Sequence, residues 1–560
     1  MSEWTWEWTG YAPGTERLRE SLCTLGNGYF ATRGALPEHR AGLVHCPGTY
    51  AAGCYNRRES TVAGRQVVNE DLVNLPDWLP LRFRLRHAEA AWGPWFSSGT
   101  HTLLDHTHVL DLCRGTLTRS FRHRGDESGL LGVEQTRLVH MGDPHLAALR
   151  TVFGVMYPWQ SGSDGREETQ EWHLNPASGR WLPDHSRLQH HVGSAVAHNV
   201  RRYCEATGDT EYLHTKGAEM LLQIARFWAD LAALDPGTGR YRIRGVVGPD
   251  EYHDSYPGAD RPGLDDNAYT NVTAAWVLTR TLELGRRLPA WRREELFHRV
   301  RLDTDELPRW DDVSRRLRVP FHEGVISQFE GYDGLAELDW DAYRKRYGTI
   351  RRLDRILEAE DDTVNRYKAS KQADVLMLGY LFSPAEPQAR FRRLGYDLDD
   401  DVWRTTVDYY LRRTSHGSTL SGLVHGLVLA RARRAEAWSY VREALEADIA
   451  DIQGGTTGEG IHLGAMAGTL DLFQRGLTGL ETREDALWLD PVPLPALSEY
   501  GFTLRYRGHW GVGVGRRSGL LEISVPDSEE SPIRVMPADR TVTIAPGETC
   551  SLVLPSASSG

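Results

Sequence analysis

The spacing of apolar side chains along the chain changes period twice, which divides it into three regions. From residue 1 to about 150 the period is two: in LPLRFRLRH, Leu81, Phe83 and Leu85 share one face with arginines opposite, as in a half-buried strand. Glycine-rich LGNGYF and HRGDESG supply turns, so an antiparallel β-sandwich is expected. From about 184 to 475 the period becomes 3.6. AEMLLQIARFWADLAAL sets Leu221, Ile224, Ala225, Trp228 and Leu231 on one stripe. SPAEPQARFRRLG opens with Ser383 as N-cap, Pro384 at the first helical position and Glu386 completing a capping box, and stops at Gly395. Further helices are expected near 188–206, 265–286, 365–381, 399–412, 419–446 and 460–474, with long loops at 235–264 and 414–418. Such a run of helices is a toroid or a bundle, and periodicity does not choose between them. From 490 to 554 the period returns to two: GFTLRYRG alternates Phe502, Leu504 and Tyr506 inward, and RTVTIAPGETCSLVLP reads as two strands around a Pro-Gly turn of a small closing sheet.

Composition narrows the function. The chain has 560 residues and a net charge of −12, with no basic block interleaved with aromatics, so neither nucleic acid nor an anionic membrane is an expected partner. The start, MSEWTWEWTG, lacks a basic or apolar leader, and no run approaches the ~18 apolar residues of a membrane span, which points to a soluble, cytoplasmic protein. Six scattered cysteines without a C-x-x-C pair fit reduced thiols, and no metal-binding signature is present. Eighteen tryptophans and 22 tyrosines against 13 phenylalanines favour aromatics with a polar edge, which suit sugar rings as well as ordinary cores.

Four stretches carry candidate chemistry. In GVVGPDEYHDS, residues 245–255, a Gly-Pro step places Asp250, Glu251, Tyr252 and His253 on a loop, where catalytic side chains concentrate. A neighbouring aspartate and partial burial favour a protonated Glu251, the form that acts as general acid on a glycosidic oxygen. In RTSHGSTLSGLVHG, residues 413–426, Ser415, His416, Gly417, Ser418 and Ser421 precede or open a helix, whose N-terminal amides make an anion site or an ordinary cap. YKASKQADVL offers Lys368 and Lys371 as charges and Gln372 as a hydrogen-bonding amide for sugar hydroxyls. GGTTGEGIHLGAMAGT, residues 454–469, is a glycine-rich helix entry with Glu459 and His462.

RGVVGPDEYH, DNAYTN, ISQFEGY, KQADVLMLGYL, RTSHGSTLS and EGIHLGAMAGT, in that order, resemble glycoside hydrolase family 65, the inverting disaccharide phosphorylases of maltose, trehalose, kojibiose and related α-glucosides. LGNGYFATRG and MYPWQSGSDGREETQ look similar too, so the resemblance runs nearly end to end. It implies a multidomain α+β chain: an N-terminal β-sandwich (1–150), an (α/α)6 toroid catalytic domain (151–480) and a small C-terminal β domain (481–560). It places the general acid on Glu251, substrate contacts on Lys371, Gln372, Tyr252 and His253, and phosphate binding on Ser415, His416, Gly417, Ser418 and Ser421. It also implies inorganic phosphate as co-substrate, no other cofactor, and a possible homodimer.

The chain departs from the family pattern in one place. A Trp-Asp pair in an FWDTE-like stretch, which the resemblance implies for glucose binding, is absent. MGDPHLAALR (141–150) runs straight into TVFGVMYPWQSG, so the sandwich is expected to be truncated and the toroid incomplete, with fewer than twelve helices and exposed apolar helix faces. Three readings follow: phosphorolysis; hydrolysis on the same scaffold, with Glu323, Glu330 or Glu459 reaching in as base; or a catalytically inactive sugar-binding homologue. The SHGSTLS loop contains no carboxylate, which favours phosphate over activated water.

Overall fold

Strands Thr5–Thr9, Leu103–Asp111, Thr116–Gly125, Gly129–Val139 and Ala147–Val155 pair in that order as one antiparallel sheet. The computed structural model describes residues 4–62, 65–84, 94–125, 129–155, 157, 159–160, 169–303, 305–382, 385–452, 462–483, 485–492, 497, 499–537 and 540–553. The chain divides into two units, Met1–Thr169 and Gln170–Gly560. Alternation in the first unit turns Leu110, Leu117 and Val139 inward onto Cys23 and Leu25, and Phe121 and Val133 onto Phe96. The same face buries Arg119, whose two guanidinium nitrogens each lie 2.8 Å from the Glu38 carboxylate. Burial alone would raise Glu38, but Arg119 outweighs it and holds the carboxyl at about 2.

Two expectations for this unit change. Residues 81–84 form no strand, and Leu85 lies outside the described residues. Phe83 instead stacks on Phe96 at 4.6 Å and its carbonyl accepts from the Phe96 amide at 2.9 Å, so ring packing and single backbone bonds hold the segment. Residues 150 and 151, the expected point of truncation, sit inside the strand Ala147–Val155, which pairs without a break with Leu131–Val139. The chain crosses that point as regular outer strand. MYPWQSGSDGREETQ falls largely outside the described residues.

The second unit is helical through its middle. Residues 268–279 of the helix Ala268–Arg287 and 421–430 of Thr419–Arg431 are buried on every side, which makes these helices an inner layer. Val192–Thr207, Ala268–Arg287, Asp374–Leu381, Thr419–Arg431 and Leu463–Asp471 pack one on the next in that order. Amphipathic Ala218–Leu231, Glu306–Arg316 and Ala437–Glu446 pack outside them. The expected stripe is present: Leu221, Ile224, Ala225 and Trp228 are buried, at roughly 1.5–3 kcal/mol for each large side chain. Five helices among the described residues form the inner succession, one fewer than a six-hairpin toroid has. On the last of them Leu463 and Leu470, seven residues apart on one face, are 72% and 67% exposed.

Several boundaries moved. The segment expected as one helix over 365–381 is instead the end of a 3-10 turn, Val364–Arg366, and an α-helix that begins at Asp374; between them Ser370 bridges Thr414. The stretch 419–446 breaks into two helices at Arg433, whose φ is +55°. Ser383 and Pro384 lie outside the described residues, and Glu386 binds Arg280 at 2.9 Å. At the C-terminus the expected single sheet is two four-stranded sheets sharing one core, which includes Leu487, Val512, Ile523 and Val535. The strands flanking the Pro-Gly turn join different sheets: Val542–Ile544 pairs with Ile533–Val535 in one and Thr549–Val553 with Leu520–Ser524 in the other. Among the described residues no helix is long and apolar enough to cross a membrane.

Candidate active site

The Gly-Pro-Asp-Glu turn is built on two buried carboxylates. Gly248 lies so close to Asp374 that a Cβ there would sit 1.9 Å from its Oδ2, so only glycine fits. Asp374 accepts from the Asp250 amide at 2.5 Å and from Asn267 Nδ2 at 2.6 Å. Burial and the charge of Asp250 push its carboxyl well above the usual range. Asp250, 1% exposed, accepts from the amides of Lys371 (2.5 Å) and Gln372 (3.0 Å) and from Gln328 Nε2 (2.9 Å). That set of donors ties the turn to the KQAD segment.

Glu251 comes out of this frame in the left-handed region at φ +65°, a conformation that costs a non-glycine residue about 1 kcal/mol or more. Its side chain is 34% exposed and its Oε2 lies 2.6 Å from Lys371 Nζ. This corrects one expectation. Asp250 spends its carboxylate on three N–H donors, and the group directly facing Glu251 is the Lys371 ammonium. Glu251 and Lys371 open on a cavity of about 230 Å³, also lined by Gln189, Val247, Tyr252, Asp254, Arg352 and Asp354.

The SHGS loop packs directly against the turn. Tyr252 Oη is 2.7 Å from Ser415 Oγ and donates to the Arg351 carbonyl at 3.2 Å. Burial, with Asp354 nearby, raises the Tyr252 hydroxyl far above its ordinary value, so it stays a neutral donor. The Gly417 amide donates to the Lys371 carbonyl at 3.2 Å, and a Cβ on Gly417 would lie 2.2 Å from the Arg351 carbonyl oxygen. His416 has φ +55° and its Nδ1 lies 2.8 Å from Ser421 Oγ; burial lowers His416 to about 4 and His425 beside it to about 3. Ser418 caps the helix by accepting from the Leu420 amide at 3.1 Å.

The structure therefore brings Glu251, Tyr252, Lys371, Gln372, Ser415 and Gly417 together through direct contacts. Ser418 and Ser421 follow one turn away, but the cavity at Glu251 is lined by none of the five expected phosphate ligands. His253 is buried beneath the turn, its Nε2 2.9 Å from the Tyr367 carbonyl, as support rather than as a cavity-lining group. Gln372 donates to the Pro249 carbonyl at 3.1 Å. Glu330 is taken up by Arg318, and Glu459 lies outside the described residues. His462 pairs with Asp448 at 2.6 Å.

Sequence reasoning missed the other cavity carboxylates, Asp184, Asp254 and Asp354. Burial alone would raise Asp254, but hydrogen bonds from His185 at 2.6 Å and Asn365 at 2.8 Å outweigh it and hold it ionised. Arg352 does the same for Asp354. No cluster of three or more His, Cys, Asp or Glu side chains suited to a metal ion occurs among the described residues.

Comparison with known proteins places this arrangement in context. The family model described as "Glycosyl hydrolase family 65 central catalytic domain" matches residues 144–471, with the N-terminal domain of the same family on 6–183 and the C-terminal domain on 480–544. An uncharacterized glycosyl hydrolase of Mycobacterium tuberculosis is 37% identical over 779 residues, covering 95% of this chain and 58% of the relative. That match is 219 residues longer than the 560-residue chain, so the shared sequence is interrupted here. Trehalose 6-phosphate phosphorylase of Lactococcus lactis is 38% identical over 63% of this chain and 45% of its own length. Kojibiose phosphorylase of Caldanaerobacter subterraneus is 32% identical over 71% and 48%. The chain spans about half the length of the curated relatives it matches. A solved structure, a putative kojibiose phosphorylase from human microbiome, shares the fold at TM-score 0.54 and 14% identity over 98% of both chains.

Proposed function

The chain belongs to glycoside hydrolase family 65, and on that premise we propose that it carries out the inverting phosphorolysis of an α-linked glucose disaccharide of the maltose, trehalose or kojibiose kind. Glu251 takes up a proton when the incoming sugar displaces the Lys371 ammonium from it, and donates that proton to the glycosidic oxygen as the bond from C1 to that oxygen breaks. An oxygen of inorganic phosphate bonds to C1 from the opposite face, giving β-glucose 1-phosphate and the free acceptor sugar. Lys371, freed from Glu251 by the incoming sugar, and Gln372 hold hydroxyls. The loop of Ser415, His416, Gly417, Ser418 and Ser421 receives phosphate at the helix entry.

The observation that carries this reading is the 2.7 Å bond between Tyr252 and Ser415, which fixes the acid turn to the anion loop while Glu251 faces an open cavity. Incubating the protein with a disaccharide panel tests it. Glucose 1-phosphate should form only when phosphate is supplied, and Glu251→Gln should abolish it; equal turnover without phosphate rejects the proposal. A second reading, hydrolysis, is favoured by the ionised Asp254 and Asp354 on the same cavity, either of which can activate water. Free glucose in phosphate-free buffer is its distinguishing product.

A further inference from the structure

Among the side chains around the Glu251 cavity, Gln189 is set apart by the state of its amide. It is 1% exposed, and neither Oε1 nor Nε2 has a hydrogen-bond partner in the structure. A buried amide left unpaired on both atoms is expensive, and native structures keep such groups rarely and for a reason. The carboxylates beside it are each satisfied: Glu251 by Lys371, Asp354 by Arg352, Asp254 by His185 and Asn365, and Asp184 by Gln170 and the Ser186 amide. Gln189 is also held in place by the acid's own segment, since the Val247 amide donates to the Leu188 carbonyl at 3.1 Å, one residue before Gln189 and three before Asp250.

We propose that Gln189 is a sugar-binding residue, whose amide pairs with a vicinal diol of the pyranose when substrate fills the cavity at Glu251. An amide offers a donor and an acceptor in one plane, which matches two neighbouring hydroxyls, each able to accept from one and donate to the other. The surrounding charges are already matched in pairs, so the cavity suits a neutral polyhydroxyl ring. The inference rests on the reading of this cavity as a saccharide site, and does not depend on whether the chemistry is phosphorolysis.

Calorimetric titration of maltose, trehalose and kojibiose in phosphate-free buffer separates the two. Gln189→Leu keeps the shape and removes both polar atoms. It should weaken binding of the saccharide that the wild type takes about tenfold, the worth of one well-made buried hydrogen bond. It should leave the thermal midpoint unchanged or raised, because no internal bond is lost. Gln189→Glu, which keeps only the acceptor, should bind at an intermediate level. Unchanged affinity in Gln189→Leu overturns the inference, as does a lowered midpoint, which would assign the amide a structural partner. A wild type that binds no saccharide overturns it as well. Binding that is lost in Gln189→Leu without phosphate-dependent turnover in the wild type supports the inference and rejects phosphorolysis alone.

Discussion

In the turn 248–254 buried carboxylates do the holding and Glu251, Tyr252 and Asp254 are left lining the cavity; in the loop 413–421 the hydroxyls themselves do the holding. Both segments contain a non-glycine residue in the left-handed region, Glu251 at +65° and His416 at +55°. Both contain a glycine at which a Cβ would meet neighbouring atoms, Asp374 Oδ2 at Gly248 and the Arg351 carbonyl at Gly417. Their difference lies in what remains free. Ser415 is engaged by Tyr252, Ser418 by its own helix and Ser421 by His416, so the serine-rich loop enters the reaction only by exchanging internal bonds for phosphate. A motif rich in hydroxyls thus records a scaffold as much as a ligand site.

The contrast can be broken at several points. The largest effect is expected at Glu251: Glu251→Gln should lower turnover about 10³-fold with little change in the urea midpoint, because a part-exposed ion pair contributes little stability. Ser415→Ala should act on both, losing about 1 kcal/mol of stability with the Tyr252 bond and raising the KM for phosphate. If Ser415→Ala lost stability alone and left the KM for phosphate unchanged, its hydroxyl would be a tie and not a ligand. Next, Gly248→Ala and Gly417→Ala should each cost about 1–3 kcal/mol in denaturant titrations, since the new Cβ meets Asp374 in one case and backbone in the other.

Smaller effects sharpen the electrostatic half of the comparison. Asp250→Asn sets an amide against three N–H donors, and Asp374→Asn sets one against the two donors on its oxygens, so each should cost about 1–3 kcal/mol. His425 is lowered to about 3 in the folded chain, so below its ordinary value the unfolded chain binds the extra proton. Its contribution to stability is complete above about pH 6.5 and declines as pH falls toward its folded value. The stability difference between wild type and His425→Phe should therefore narrow over that range, by at most about 1.4 kcal/mol per pH unit.

Much of the fold was legible wherever one face of an element is apolar. The stripe through Leu221, Ile224 and Trp228, and the alternation of Phe502 and Leu504, survive intact because burial there follows local period. Helices Ala290–Arg299 and Glu306–Arg316 were not foreseen; WRREELFHR and ELPRWDDVSRR are dominated by charged and polar residues, and the buried face of the second rests on Trp310 and Val313 beside the Arg226–Glu306 pair. The site was legible as loops and not as contacts. The Gly-Pro step announced the turn, but nothing in KQAD told that its backbone amides would clamp Asp250, and a lone Gln189 beside two histidines carries no signal.

The configuration of the product tests the central claim most directly: that a proton donor on one side of the sugar faces an anion on the other. Proton NMR of the glucose 1-phosphate formed, whose esterified anomeric oxygen prevents mutarotation, should show the β anomer alone from an α-linked disaccharide. The α anomer would mean attack from the side of the leaving group, and would contradict the arrangement.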